Sequence, residues 1–137
     1  MSLHSWPLQQ AIFTKLNAAN ITDYASNAIT GVFDDVPEET AYPYIKIGEE
    51  TSTNIATKTL DAHEHTLTIH VWSQYRGGFR DVKVIMQQIF TALHNGDITV
   101  SGASLVNIRH EFETVLLEQD GITRHGVMRF RVVVFDS

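Results

Sequence analysis

The sequence predicts an α+β domain in which two helices pack on one face of a mostly antiparallel β-sheet with a long C-terminal hairpin. Three observations carry that expectation. Apolar residues recur at helical spacing in two stretches, 8–19 and 79–93. Runs of alternating apolar and polar residues lie between and after them, and Asp120-Gly121 joins the last two runs as a hairpin signal.

The 137 residues suit one domain covering 1–137, long enough to bury an ordinary core without disulfides or metal. A hydrophobic share of 43% with 19% charged residues is that of a folded globular chain. Cysteine is absent, which excludes disulfide frameworks, thiolate metal sites and thiol nucleophiles. No stretch approaches the roughly 18 apolar residues of a membrane span, and the N-terminus lacks the order of a signal peptide, so cytoplasmic residence is the expectation. Met1-Ser2-Leu3 has the form of an expression leader and is given no weight. The net charge of −6 argues against general polyanion binding.

Taken in order, Ser5 is a plausible N-cap for the first helix, and Pro7 is tolerated in its first turn. Leu8, Ile12, Leu16 and Ala19, with Phe13 beside them, give the helix an apolar face. A turn near 23–27 precedes a short extended piece at Val32-Phe33 and an acidic loop interrupted by Pro37 and Pro43. Residues 44–48 read as a strand, and the polar, threonine-rich residues after it read as a long exposed hairpin excursion. Residues 63–72 form the next strand.

Phe79, Val82, Ile85 or Met86, Ile89, Phe90 and Leu93 define the second helix, with Gly96 suited to the left-handed residue beyond its end. Asp81 in its first turn and His94 in its last agree with the helix dipole. Two long strands follow over 105–118 and 122–135. In the second, Met128, Phe130, Val132 and Val134 share one face and Val127, Arg129, Arg131 and Val133 the other.

Candidate chemistry centres on D-A-H-E-H-T-L-T-I-H-V-W-S at 61–73, which holds three of the seven histidines. Strand alternation puts His63, His65, Leu67, Ile69 and Val71 on one side and Glu64, Thr66, Thr68, His70 and Trp72 on the other. The three histidines therefore cannot meet on one ion from this strand alone. His63 and His65 can share one only with ligands from elsewhere.

Neither His63-Glu64 nor His110-Glu111 has the one-turn spacing of a zincin helix, no G-x-S-x-G elbow is present, and Ser104 has no base nearby in sequence. Arg76-Gly77-Gly78 before the second helix reads as a turn and not as a phosphate cradle. The loop carboxylates Asp34, Asp35, Glu38 and Glu39 lack calcium-loop spacing. Arg124, Arg129 and Arg131, the tightest basic group, read as arginines on a solvated sheet face. No active site is visible, and function by assembly is favoured by the polar excursion and the half-polar sheet face.

Four stretches in order carry a family resemblance: G-V-F-D-D-V-P with Y-P-Y-I-K-I-G-E; H-T-L-T-I-H-V-W-S; R-G-G-F-R-D-V-K-V-I-M-Q-Q-I-F-T-A-L-H; and D-G-I-T-R-H-G-V-M-R-F-R-V-V-V. Together they resemble the tail completion, or tail terminator, family of long-tailed bacteriophages, prophages and gene transfer agents. The resemblance implies a structural subunit and not an enzyme, without cofactor or metal. It implies a hexameric ring at the head–tail junction of the virion, assembled in the bacterial cytoplasm. Such a ring caps the tail tube and joins it to the head connector, with DNA passing through transiently and no membrane involved.

Interface residues are then expected in the 34–42 loop (Asp34, Asp35, Glu38, Glu39, Tyr42), in the 50–60 excursion (Glu50, Thr53, Asn54, Lys58), and at His70 and Trp72. The loop would meet the tube or connector, and the excursion would reach a neighbouring subunit or line the channel. Two rival readings stand beside this one. A metal-dependent hydrolase would use His63 and His65 with His110 or His125 and a carboxylate, and a small-ligand module would hold a pocket between the second helix and the sheet.

Overall fold

Helical and strand periods in the sequence become seven elements: α1 (Ser5–Ala18), β1 (Val32–Phe33), β2 (Tyr44–Asn54), β3 (Ala62–Ser73), α2 (Arg80–Leu93), β4 (Ala103–Leu117) and β5 (Arg124–Asp136). This computed structural model describes residues 3–55 and 57–136. Met1 and Ser2 of the leader reading and Ala56 of the excursion lie outside them. No helix is long and apolar enough to cross a membrane.

The strands lie in the order β1-β2-β3-β5-β4. β1 runs parallel to β2, and every other neighbouring pair is antiparallel. The expected α+β fold with its C-terminal hairpin is therefore the one formed. α1 packs against β1, β2 and α2, while α2 packs against β3, β5 and β4. One core joins Leu8, Ile12 and Leu16 of α1 to Val82, Ile85 and Ile89 of α2 and to the inward residues of the sheet, among them Ile45, Ile69 and Phe130.

Local departures from the expected elements have simple causes. His4, not Ser5, is the N-cap residue of α1, and no side chain caps the helix there. Phe13 and Ala19 are exposed, because Leu8, Ala11, Ile12 and Leu16 already fill the inward stripe and Phe13 stands about 100° around the axis from Ile12. At the end of α2 the left-handed residue is Asn95, with φ 52°, and not Gly96. His94 is the C-cap residue beyond the last turn, and its Nδ1 accepts a hydrogen bond from the His110 N–H at 3.0 Å. Strand β2 runs on past Gly48 to Asn54, so the first part of the excursion is paired sheet. Asp120-Gly121 falls in a wider loop, where the Asp120 carboxylate accepts from the Ile122 and Thr123 N–H groups at 2.8 Å each.

Two residues set how closely α2 meets the sheet. A Cβ on Gly126 would lie 2.6 Å from Met86 Sδ and 2.7 Å from Val82 Cγ1, so glycine lets the helix approach β5. Asp81, 3% exposed, accepts from the Ser73 hydroxyl at 2.5 Å and from the Tyr24 N–H at 3.1 Å. It sits in the first turn, as the dipole expectation had it, and its main work is to tie α2, β3 and the 22–28 turn together.

Candidate functional site

On the sheet face away from the helices, β3 shows Glu64, Thr66, Thr68, His70 and Trp72, the five residues that alternation assigned to it. They pair with Val133, Arg131, Arg129, Val127 and His125 of β5. Arg131 bridges Glu64 and Glu111, and its hydrogen bonds to Glu111 hold its charge in place. Arg129 lies 5.4 Å above the Phe112 ring, a cation–π contact. These arginines face carboxylates and an aromatic ring at a mixed surface, not a stripe for phosphates.

At one end of this face the sequence brings together residues 55 apart. His70 Nδ1 and His125 Nε2 are 2.7 Å apart, His70 Nε2 lies 3.0 Å from Glu49 Oε2, and His125 Nδ1 lies 3.0 Å from Glu118 Oε1. Trp72 stacks on His125 with centroids 3.7 Å apart. Proton counting limits this chain of groups. Each outer nitrogen must donate to its carboxylate, and one proton serves the bond between the rings, so three protons satisfy every contact. A fourth would set two N–H groups against each other.

Burial lowers the pKa of His125, although its hydrogen bond to Glu118 opposes the shift, and the hydrogen bond from His70 lowers that of Glu49. The folded chain thus takes up the His125 proton at lower pH than the unfolded chain. Stability from His125 is complete above its unfolded value, about 6.5, and is lost as pH falls through the depressed folded value. Chemical denaturation at descending pH is expected to show this loss in the parent chain and a smaller one in His125→Gln. Equal slopes in the two would rule out the linkage.

The residues expected at interfaces do not form one patch. Asp34, Asp35, Glu38, Glu39 and Tyr42 are exposed on the loop before β2, with Asp34 accepting from Gln9 Nε2 at 3.0 Å. Thr53 and Asn54 end β2, and Lys58 is exposed in the turn that follows, at the other end of the strand. Glu50 turns toward the helix side, where its carboxylate meets the buried His65 Nδ1 at 2.8 Å. A register shift between Ile47 and Glu50 causes that turn. His70 and Trp72 lie on the outer face toward the Tyr44 end of β2, where the 34–42 loop enters.

Apolar residues that the sequence reading did not place at the surface are exposed at both edges. Trp6 (60% exposed) and Phe13 (41%) stand on the outside of α1, beside Asp34, around a groove of about 340 Å³. Val106, Phe112, Leu116 and Leu117 are exposed on β4, whose outer edge has no partner strand among the described residues. Two register shifts, at Leu105/Asn107 and His110/Phe112, hide this patch from an alternation reading. Adjacent Leu116-Leu117 was the available signal.

Among the described residues, those named for a hydrolase do not come together. His63 and His65 point to the helix side, His125 lies on the opposite face, and His110 pairs with Glu113 at 3.2 Å. Between α2 and the sheet, Val82, Ile85, Ile89 and Phe130 are fully buried, and beside them an open groove of about 460 Å³ is lined by Lys83, Met86, Gln87 and Phe90 of α2 with Glu113 and Met128 of the sheet.

The described residues thus form a two-helix, five-stranded α+β domain of structural type, with a mixed outer sheet face and exposed apolar side chains toward its edges. Residues 10–134 match the family model described as tail completion protein gp17, and the chain belongs to that family. It is 25% identical over 133 residues to the tail completion protein gp17 of Bacillus phage SPP1, covering 95% of this chain and 97% of that one. Among solved structures it is similar to a chain of the virion of a native gene transfer agent particle, with TM-score 0.81 at 22% identity over 98% of this chain and 99% of the other. It is also similar to bacteriophage SPP1 gp17, with TM-score 0.57 at 22% identity over 96% and 95% of the two chains.

Proposed function

We propose that this chain completes a phage or gene transfer agent tail as a structural subunit, without catalysis. Six copies form a ring that caps the tail tube, ends its growth and meets the head connector. The observation that carries this reading is the pair of apolar surfaces at opposite edges of the domain, Trp6 and Phe13 near the β1–β2 side, and Phe112 with Leu116 on the outer face of β4. Two unlike patches on opposite sides suit a head-to-tail contact, and such contacts close into rings when the rotation allows. Family membership over residues 10–134 supports the place in the tail.

In this reading the loop carrying Asp34, Asp35, Glu38, Glu39 and Tyr42 meets the tube or connector. Thr53, Asn54 and Lys58, with Glu50 bracing their strand, reach the neighbouring subunit or the channel, and His70 and Trp72 pack near it. A net charge of −6 suits a channel that lets DNA pass without holding it. The ring would sit at the head–tail junction after assembly in the host cytoplasm.

Electron microscopy of the chain with its own tail tubes should show rings at one tube end and tubes of uniform length. A chain that stays monomeric at every concentration and leaves tube ends bare would end this reading.

A further inference from the structure

We propose that His4, His63 and Asp136 bind a divalent transition metal of the zinc type, which clips the start of α1 and the end of β5 to the start of β3. This does not rest on the tail reading. His4 and Asp136 are 132 residues apart, yet His4 Nε2 and Asp136 Oδ1 are in hydrogen-bond contact. One ligating atom of each of the three residues lies within 4.8 Å of those of the other two.

The donor set suits such an ion. Zinc takes imidazole nitrogens and carboxylate oxygens at about 2.0–2.2 Å, which places the ligating atoms of a tetrahedron about 3.3–3.6 Å apart. Side-chain rotations would bring His63 in and part the His4–Asp136 contact to that spacing. Two neutral imidazoles and one carboxylate also favour a borderline-soft cation over calcium or magnesium, which prefer oxygen ligands.

Burial is the second, independent observation. His4 is 2% and His63 5% exposed, and His63 Nδ1 is buried with no hydrogen-bond partner among the described residues. An apolar residue would fill the start of β3 without such an atom, whereas a metal ligand there accounts for an imidazole in a dry place. The His4 and His63 rings meet edge to face, with centroids 5.7 Å apart. Asp136, whose side chain is 25% exposed, gives the ion a way in and leaves room for a water as fourth ligand. Its backbone N–H is fixed on the Asp61 carbonyl at 2.9 Å.

The test uses the full chain without an affinity tag, stripped by chelator and titrated with Zn²⁺ against a chromophoric competitor, then with Co²⁺. One ion per chain is expected, with a higher unfolding midpoint and the visible bands of tetrahedral cobalt. His63→Gln and Asp136→Asn should each weaken binding at least about 100-fold, since loss of an outer-shell partner alone costs 10–100-fold. His110→Gln should bind as the parent does. Asp136→Asn, at a partly exposed position, keeps the test open if His63→Gln misfolds. The proposal is overturned by no saturable binding in the parent, or by unchanged affinity in Asp136→Asn.

Discussion

Trp6→Glu and Leu116→Glu are each expected to abolish ring formation, and a mixture of the two variants is expected to stop at dimers. The argument rests on where the two patches lie. α1 covers the β1–β2 side of the sheet and β4 forms the far edge, so one subunit cannot turn both patches toward the same neighbour. A ring built head to tail uses the α1 patch of one subunit and the β4 patch of the next at every contact. One charged residue per subunit then enters every interface, where an unpaired buried charge costs several kcal/mol. In the mixture, the Trp6→Glu chain still offers a sound β4 edge and the Leu116→Glu chain a sound α1 patch. They make one good contact, and the next joins two damaged patches.

Sedimentation velocity separates these outcomes. Rings from either variant alone would remove these patches from the interface. Dimers from each variant alone would point to like-with-like contacts, in which each substitution damages only alternate interfaces. Both substitutions lie on exposed side chains, so the monomer fold should stay within about 0.5 kcal/mol of the parent.

How far the sequence foretold this surface depends on the distance over which each feature is encoded. Alternation in β3 separated His63 and His65 from His70 and Trp72, because the strand is regular from Ala62 to Ser73. The period of α2 was equally legible, since Val82, Ile85, Met86, Ile89 and Leu93 all turn inward. Bulges defeated the same logic elsewhere. The shift after Ile47 sends Glu50 inward to His65, and the two shifts in β4 spread apolar residues over its exposed side. Pairings across the chain were out of reach: nothing local joins His70 to His125 or His4 to Asp136, and only the strand order brings them together. Phe13 shows the remaining limit. Its neighbours have helical spacing, but a helix that already fills its inward stripe turns the next aromatic residue out.

Phe130→Ala is expected to destabilise the fold by about 3–5 kcal/mol. Phe130 is fully buried on β5, with Leu67 of β3 on one side and His110 of β4 on the other, and the His110 ring meets it edge-on at 5.6 Å. Both neighbouring strands are held in hydrogen-bonded register, so they cannot collapse far into the space an alanine would leave. The cavity persists and adds to the lost transfer energy. Against the 5–15 kcal/mol of a typical domain that is a large share, and a fall in the unfolding midpoint of roughly 10 °C or more should follow. Phe112→Ala is the matched control. Its ring is 44% exposed beneath Arg129, so its removal should cost the monomer no more than about 1 kcal/mol while weakening assembly. Urea unfolding of the two variants, with the slope of each transition compared to the parent, measures both. Equal losses would mean that Phe130 does not anchor the core and Phe112 is not a surface residue held for a partner.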